Sequence, residues 1–238
     1  MRIACWSGPR NISTALMRSW SSRSDVFVSD EPFYAYYLKE RQLKHPMYKE
    51  IIKHYPNTYD EVVRNLISEI PNNKEHWYQK HMAHHIVDFN NLEWITRFNN
   101  CFLIRNPKDV LLSYIKKNTL NSAEDLGYIQ QYKIMRYLKK KGIKYTIIDT
   151  DLFLKDPEYF LNQWCDDLKI TFDKRMLKWK KGVYSTDGIW SRHWYDNVIK
   201  TDSFKEMTSM NCSVPKEYYK IYNTCEKYYI KLKEYKGA

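Results

Sequence analysis

Five short apolar or alternating runs, each followed by residues at helical spacing, set the pattern of this chain. Arg2 to Trp6, Val26 to Ser29, His76 to Met82, Cys101 to Ile104 and Lys144 to Asp149 have the length and composition of strands. After the first, Ser7, Gly8 and Pro9 read as a tight turn, and Ile12, Ala15, Leu16, Ser19 and Trp20 recur on one helical face. After the fourth, Pro107 suits a first helical turn, and Lys108 to Lys117 continues with helical spacing. Residues 34 to 70 are tyrosine-rich and mostly helical, broken at Pro46, Pro56 and Pro71, and a long helix is expected from Pro215 to about Tyr235. Strands alternating with helices predict an α/β fold of three layers, a central parallel sheet flanked by helices.

A chain of 238 residues can bury one large core. The simplest organisation is a single domain over 1–238, with a helical Tyr-rich insertion at about 34–70 and a C-terminal loop and helix at about 178–238. Lys and Arg number 39 against 28 Asp and Glu, a net charge of +11, which suits a polyanionic ligand and would equally suit nucleic acid. Lys139, Lys140 and Lys141 precede Gly142 at an expected helix end, where the dipole favours cations, so that run reads as a solvated terminus. The cysteines at 5, 101, 165, 212 and 225 are scattered and odd in number, against both a zinc site and a disulfide framework. The chain enters its first strand without a leader pattern and has no run near the ~20 apolar residues of a membrane helix, so a cytoplasmic protein without a membrane partner is expected.

The chemistry gathers at strand ends. Arg105 follows the fourth strand and Ser113 lies eight residues on, along the next helix, so a forked guanidinium and a hydroxyl can converge on one phosphate. At the first strand end, the helix dipole and unpaired N–H groups favour a second anion, and Arg10, Asn11, Ser13 and Thr14 add side-chain donors. The nucleotide spacing Gly-x-x-x-x-Gly-Lys-Ser/Thr is absent, which counts against an ordinary kinase or ATPase.

These two sites make the sequence resemble the sulfotransferases that use 3′-phosphoadenosine 5′-phosphosulfate. Pro9-Arg10-Asn11-Ile12-Ser13-Thr14 is similar to their phosphosulfate loop Pro-Lys-Ser-Gly-Thr-Thr, with arginine for lysine. Arg105 to Ser113 matches every fixed position of their 3′-phosphate motif Arg-Asn-Pro-x-Asp-x-x-x-Ser. Asp151-Leu152, followed by Asp156-Pro157-Glu158, is similar to a segment after a late strand in that family. The likeness runs in order over residues 1 to about 170, nearest to a compact branch. It implies a P-loop-like fold, the phosphosulfate donor, adenosine 3′,5′-bisphosphate as product, and no metal. It also implies a donor-closing loop, to which Lys180-Lys181-Gly182, then Asp187-Gly188-Ile189-Trp190 and Arg192-His193-Trp194-Tyr195, are loosely similar, with Lys181 and Gly182 reaching the 3′-phosphate.

Sulfuryl transfer to a hydroxyl or amine needs a base for the acceptor proton and cations on the leaving phosphate. Relatives that modify sugars carry a glutamate before proline after the second strand, which implies Glu31 as base. Hormone-type relatives carry Lys-Thr-His after the third, which implies Lys80 on the donor but puts Met82 where the histidine belongs, leaving His81, His84 or His85 as displaced bases. Arg10 and Lys80 would then stabilise the leaving phosphate, and Phe33, Tyr34, Tyr36, Tyr37, Tyr48 and Tyr55 would wall the site of a small-molecule acceptor. The reading expects no nucleic-acid partner and leaves oligomeric state open. Two rivals stand beside it: a phosphotransferase with an atypical loop, for which Asp30 is the evident metal-holding carboxylate, and a non-catalytic basic module binding nucleotides or nucleic acid.

Overall fold

A computed structural model describes residues 1–206 and 211–234. Its centre is a five-stranded, wholly parallel sheet in the order β2-β3-β1-β4-β5. The strands are β1 (Arg2–Ser7), β2 (Val26–Asp30), β3 (His76–Met82), β4 (Asn99–Ile104) and β5 (Tyr145–Asp149). The helices are α1 (Ser13–Ser21), α2 (Tyr34–Glu40), α3 (Tyr48–His54), α4 (Tyr59–Ile67), α5 (Pro107–Tyr114), α6 (Tyr128–Lys140), α7 (Thr150–Phe153), α8 (Pro157–Asp167), α9 (Ser191–Trp194) and α10 (Tyr219–Glu234). All five strands run the same way, so every carboxyl end reaches one edge. From β1 the chain passes to the edge strand β2 and returns to β3 between them, then crosses to the other side of β1 between β3 and β4, a change of direction that marks this edge as the place for a ligand.

Alternating side chains feed two cores. Ala4, Trp6, Trp77, Phe102 and Ile104 face α4, α5, α6 and α10; Ile3, Cys5, Tyr78, Cys101 and Leu103 face α1 and α8. Trp20 is wholly buried in the second, stacked on Tyr78 and edge-on to Trp164, and truncating it to alanine would cost about 3–5 kcal/mol. A smaller cluster joins the insertion to the late chain through Tyr34, Leu38, Ile51, Trp190 and Tyr195.

Several boundaries differ from expectation for local reasons. β4 starts at Asn99 rather than Cys101, because Asn100 is buried with its amide bonded to the Ile95 and Phe98 carbonyls and its oxygen accepting from Trp6 Nε1 at 2.9 Å. α5 stops at Tyr114, short of Lys117. The final helix begins at Tyr219, after a single turn over Lys216–Tyr218, and the expected end at Tyr235 lies outside the described residues. No helix among the described residues is long and apolar enough to cross a membrane.

Candidate active site at the carboxyl edge of the sheet

Two clusters form at this edge, one at β1 and β4, the other at β2 and β3. The Asn-Pro pair explains the first. Asn106 caps α5 by accepting from the Lys108 N–H at 2.9 Å, and Pro107 fills the first turn, so Arg105 stands where strand becomes helix. Arg105 is 4% exposed. Its guanidinium donates to the Arg10 carbonyl at 3.0 Å, and Tyr128 donates to its own carbonyl at 2.7 Å. Arg10 in turn donates from Nε to Ser113 Oγ at 2.9 Å. Two sites that the sequence kept apart are therefore contiguous, with Arg10 bridging them. Burial and the neighbouring Arg105 charge both lower the Arg10 pKa, the mark of cations gathered without enough anions among them.

Arg10 holds φ at +56°, a left-handed turn that lifts the backbone before α1. Asn11 ties the loop down: its amide donates to the Leu103 carbonyl at 3.1 Å, and its oxygen accepts from Thr150 Oγ1 and the Ile12 N–H. A Cβ on Gly8 would drive into the Leu126 carbonyl, so only glycine fits there. Gln131, with its amide oriented as its neighbours require, accepts from the Gly8 N–H and donates to the Trp6 and Leu103 carbonyls. Ser13 and Thr14 open α1, which has no side-chain cap. Sequence reasoning missed Gln131, Thr150 and Tyr128, for which no local motif exists.

The second cluster is of mixed charge. Lys80 is 1% exposed and donates to Asp30 Oδ1 at 2.8 Å, Glu31 Oε1 at 2.5 Å and Tyr195 Oη at 2.7 Å. An ammonium has three protons, and all are committed. Burial works against the Lys80 charge, but Asp30, Glu31 and Tyr195 outweigh it and hold the pKa well above its ordinary value. Asp30 also accepts from the Tyr195 hydroxyl at 2.7 Å and from the Gly188 N–H at 3.2 Å. Burial pushes the Glu31 carboxyl up, Lys80 pulls it back, and Asp30 pushes it up again, leaving it raised overall. Glu31 sits at φ +44°, a strained conformation of the kind that gathers at working sites.

The histidines lie elsewhere. His81 follows Lys80 on β3 and so faces the other side of the sheet, stacked on Trp6 at 4.4 Å among Phe33 and Trp94. Burial, reinforced by Lys80, lowers its pKa to about 3. His85 is held between the rings of Tyr34 and Tyr37, and His84 meets Tyr37 edge-on; burial lowers both, His84 to about 4. Of the tyrosine insertion, Phe33 and Tyr36 enter the main core with Tyr59, Tyr48 and Tyr55 pack in the small cluster, and Tyr34, also in that cluster, donates its N–H to the Glu31 carbonyl at 2.9 Å. Lys181 is exposed and paired with Asp202 at 3.4 Å, while Gly182 gives its N–H to Ile199 and its carbonyl to Arg18. No hydrogen bond or ion pair among the described residues joins Lys181 or Gly182 to Arg105 or Ser113. The one group of metal-ligating side chains among the described residues is Asp25, Glu75 and His76, at the opposite edge, where Arg23 already holds both oxygens of Asp25.

Comparison with known proteins fits this geometry. The chain belongs to a family described as "Sulfotransferase domain", whose pattern matches residues 1–224. Two proteins of Arabidopsis thaliana, called branched-chain-amino-acid aminotransferase-like proteins 2 and 1, are each 33% identical over 223 and 219 residues, 94% and 92% of this chain. The chain spans only 40% and 39% of their lengths. Among solved structures, the sulfotransferase domain from the curacin biosynthetic pathway has TM-score 0.57 at 16% identity, covering 94% of this chain and 96% of its own. A sulfotransferase from Alicyclobacillus acidocaldarius has TM-score 0.54 at 11% identity, covering 97% and 94%. At such identities these structures establish the shared three-layer fold.

Proposed function

We propose that the protein transfers a sulfuryl group from 3′-phosphoadenosine 5′-phosphosulfate to a hydroxyl or amine of a small-molecule acceptor. The observation that carries this reading is the continuous run of donors from Arg105 through the Arg10 carbonyl and side chain to Ser113, beside an uncapped helix start. Arg105 Nε is buried without a hydrogen-bond partner, its nearest carboxylate being the half-buried Asp151 in a long ion pair at 3.8 Å, so the guanidinium keeps a donor for an anion. A donor with two phosphate positions fits that set: Arg10, Asn11, Ser13 and Thr14 would hold its phosphosulfate, Arg105 and Ser113 its 3′-phosphate. The donor supplies the sulfuryl group, whose bond to the bridging phosphate oxygen breaks as a bond to the acceptor forms.

Glu31 accepts the acceptor proton. Its raised pKa brings it nearer neutrality, and its carboxyl is more open than that of Asp30, 12% against 1%. Lys80 was expected on the leaving phosphate, but with three protons spent on protein oxygens it holds Glu31 instead. Arg10 stabilises the departing charge. His81, closed into the aromatic core of the other face, is left out of the base role. Tyr34, whose N–H donates to the Glu31 carbonyl, and Tyr37, one helical turn further on, flank the acceptor.

Isothermal titration with adenosine 3′,5′-bisphosphate, ATP with Mg²⁺ and a single-stranded oligonucleotide tests the reading. Metal-independent binding of the bisphosphate in preference to both others is expected; preference for ATP with Mg²⁺ or for the oligonucleotide overturns it. Against a hydroxyl and amine library, Glu31→Gln should abolish turnover while leaving bisphosphate binding intact.

A further inference from the structure

Tyr195 is the fourth member of the β2–β3 cluster, and the loose likeness of its segment to a donor-closing loop gives it no role. It ends α9, yet its ring is 4% exposed, packed with Tyr34, Leu38 and Trp190. Its hydroxyl accepts from Lys80 at 2.7 Å and has one proton to give, which both Asp30 oxygens approach at 2.7 Å. Asp30 thus has donors from Lys80, Tyr195 and the Gly188 N–H, a set that satisfies a carboxylate without calling on more of the Lys80 charge. Two of the three Lys80 protons are fixed in this way, and the geometry leaves the third pointing at Glu31.

We propose that Tyr195 is a positioning residue, whose hydroxyl anchors Asp30 and Lys80 so that Lys80 is directed onto Glu31 and keeps it in the ionised, proton-accepting form. The role as an aid to catalysis rests on the sulfuryl-transfer reading; the effect on Glu31 does not. The ionisable groups facing Glu31 are Lys80 from β3, Asp30 beside it on β2, Tyr195 after α9, and Tyr34 from α2. Removing the Tyr195 hydroxyl deprives the buried Asp30 of a donor. Asp30 then draws Lys80 toward itself, the Lys80–Glu31 bond weakens, and Glu31 takes up a proton at higher pH.

The test follows the Glu31 carboxyl by ¹³C NMR in protein labelled at glutamate side-chain carboxyls, with its signal assigned by its loss in Glu31→Gln. In Tyr195→Phe, which keeps the ring, the Glu31 midpoint should rise by about half a unit to one unit, the shift that one neutral hydrogen bond can make. Adenosine 3′,5′-bisphosphate affinity should stay within about twofold, since the hydroxyl touches nothing at β1 or β4. Should Tyr195→Phe not fold, site-specific 3-fluorotyrosine at 195 retains ring and hydroxyl. Its more acidic phenol donates more strongly to Asp30 and accepts more weakly from Lys80, so the midpoint should move down. A Glu31 midpoint that moves in neither variant overturns the proposal, as does loss of bisphosphate binding in Tyr195→Phe. Bisphosphate titration of the unmodified protein decides the sulfuryl reading separately and leaves the comparison of midpoints intact.

Discussion

The two halves of the carboxyl edge solve opposite electrostatic problems. At β1 and β4, Arg10 and Arg105 are brought together on backbone and hydroxyl oxygens, with a long 3.8 Å ion pair from Arg105 to the half-buried Asp151 against two cations, so positive charge is in surplus and an anion is welcome. At β2 and β3, one lysine is set among two carboxylates and a phenol, so its charge is consumed internally and the surplus is negative. The first half is arranged to hold something from outside, the second to hold itself. On the proposed reading, binding and proton transfer fall to different strand pairs, and substitutions should separate them.

Lys80→Met should have the largest effect. It leaves Asp30 and Glu31 buried without their cation, at a cost of about 3–5 kcal/mol of stability, read from urea unfolding at pH 7. Adding Asp30→Asn should recover part of the loss. Arg105→Ala comes next: bisphosphate affinity should fall by about 30-fold or more, since a buried charge-assisted contact is worth about 2–5 kcal/mol, while the Glu31 titration stays in place. Equal damage to binding from both variants would break the contrast. Smallest, taken per pH unit, is the effect that distinguishes Glu31 from the imidazoles behind it. His81 and His85 have folded pKa values below the unfolded 6.5, so their stabilising effect is complete above pH 6.5 and is lost as pH falls toward their folded values. Each should steepen acid unfolding by about 1.4 kcal/mol per pH unit in that window, and His81→Gln should remove its share. Glu31, with a raised pKa, acts in the opposite sense: its effect is complete below the unfolded carboxyl value and is lost as pH rises through the folded one.

The contrast also marks what the sequence could reveal. All five strands were legible because each is a compact apolar or alternating run, and the three-layer fold follows from their order. Arg105 and Ser113 were legible because Asn106 and Pro107 fix the strand-to-helix turn within a few residues. Lys80 and His81 illustrate a signal present but not applied: alternation along β3 already puts adjacent side chains on opposite faces. Tyr195 left a fainter one, its place in the loosely matched stretch Arg192 to Tyr195. Its partner Asp30 is 165 residues away, and a tyrosine at a helix end is an ordinary core residue until the fold brings a lysine to it. Asn100 misled for a related reason, since a polar residue reads as a strand boundary unless its buried partners are known.

The loop between β1 and α1 is fastened at several places by groups remote in sequence: Gln131 beneath Gly8, Thr150 and the Leu103 carbonyl on Asn11, Arg105 on the Arg10 carbonyl. A segment so braced gives up little freedom when a ligand arrives. Capture should therefore run at a pace set by diffusion and ionic strength, with escape, rather than rearrangement on entry, governing how long a nucleotide stays.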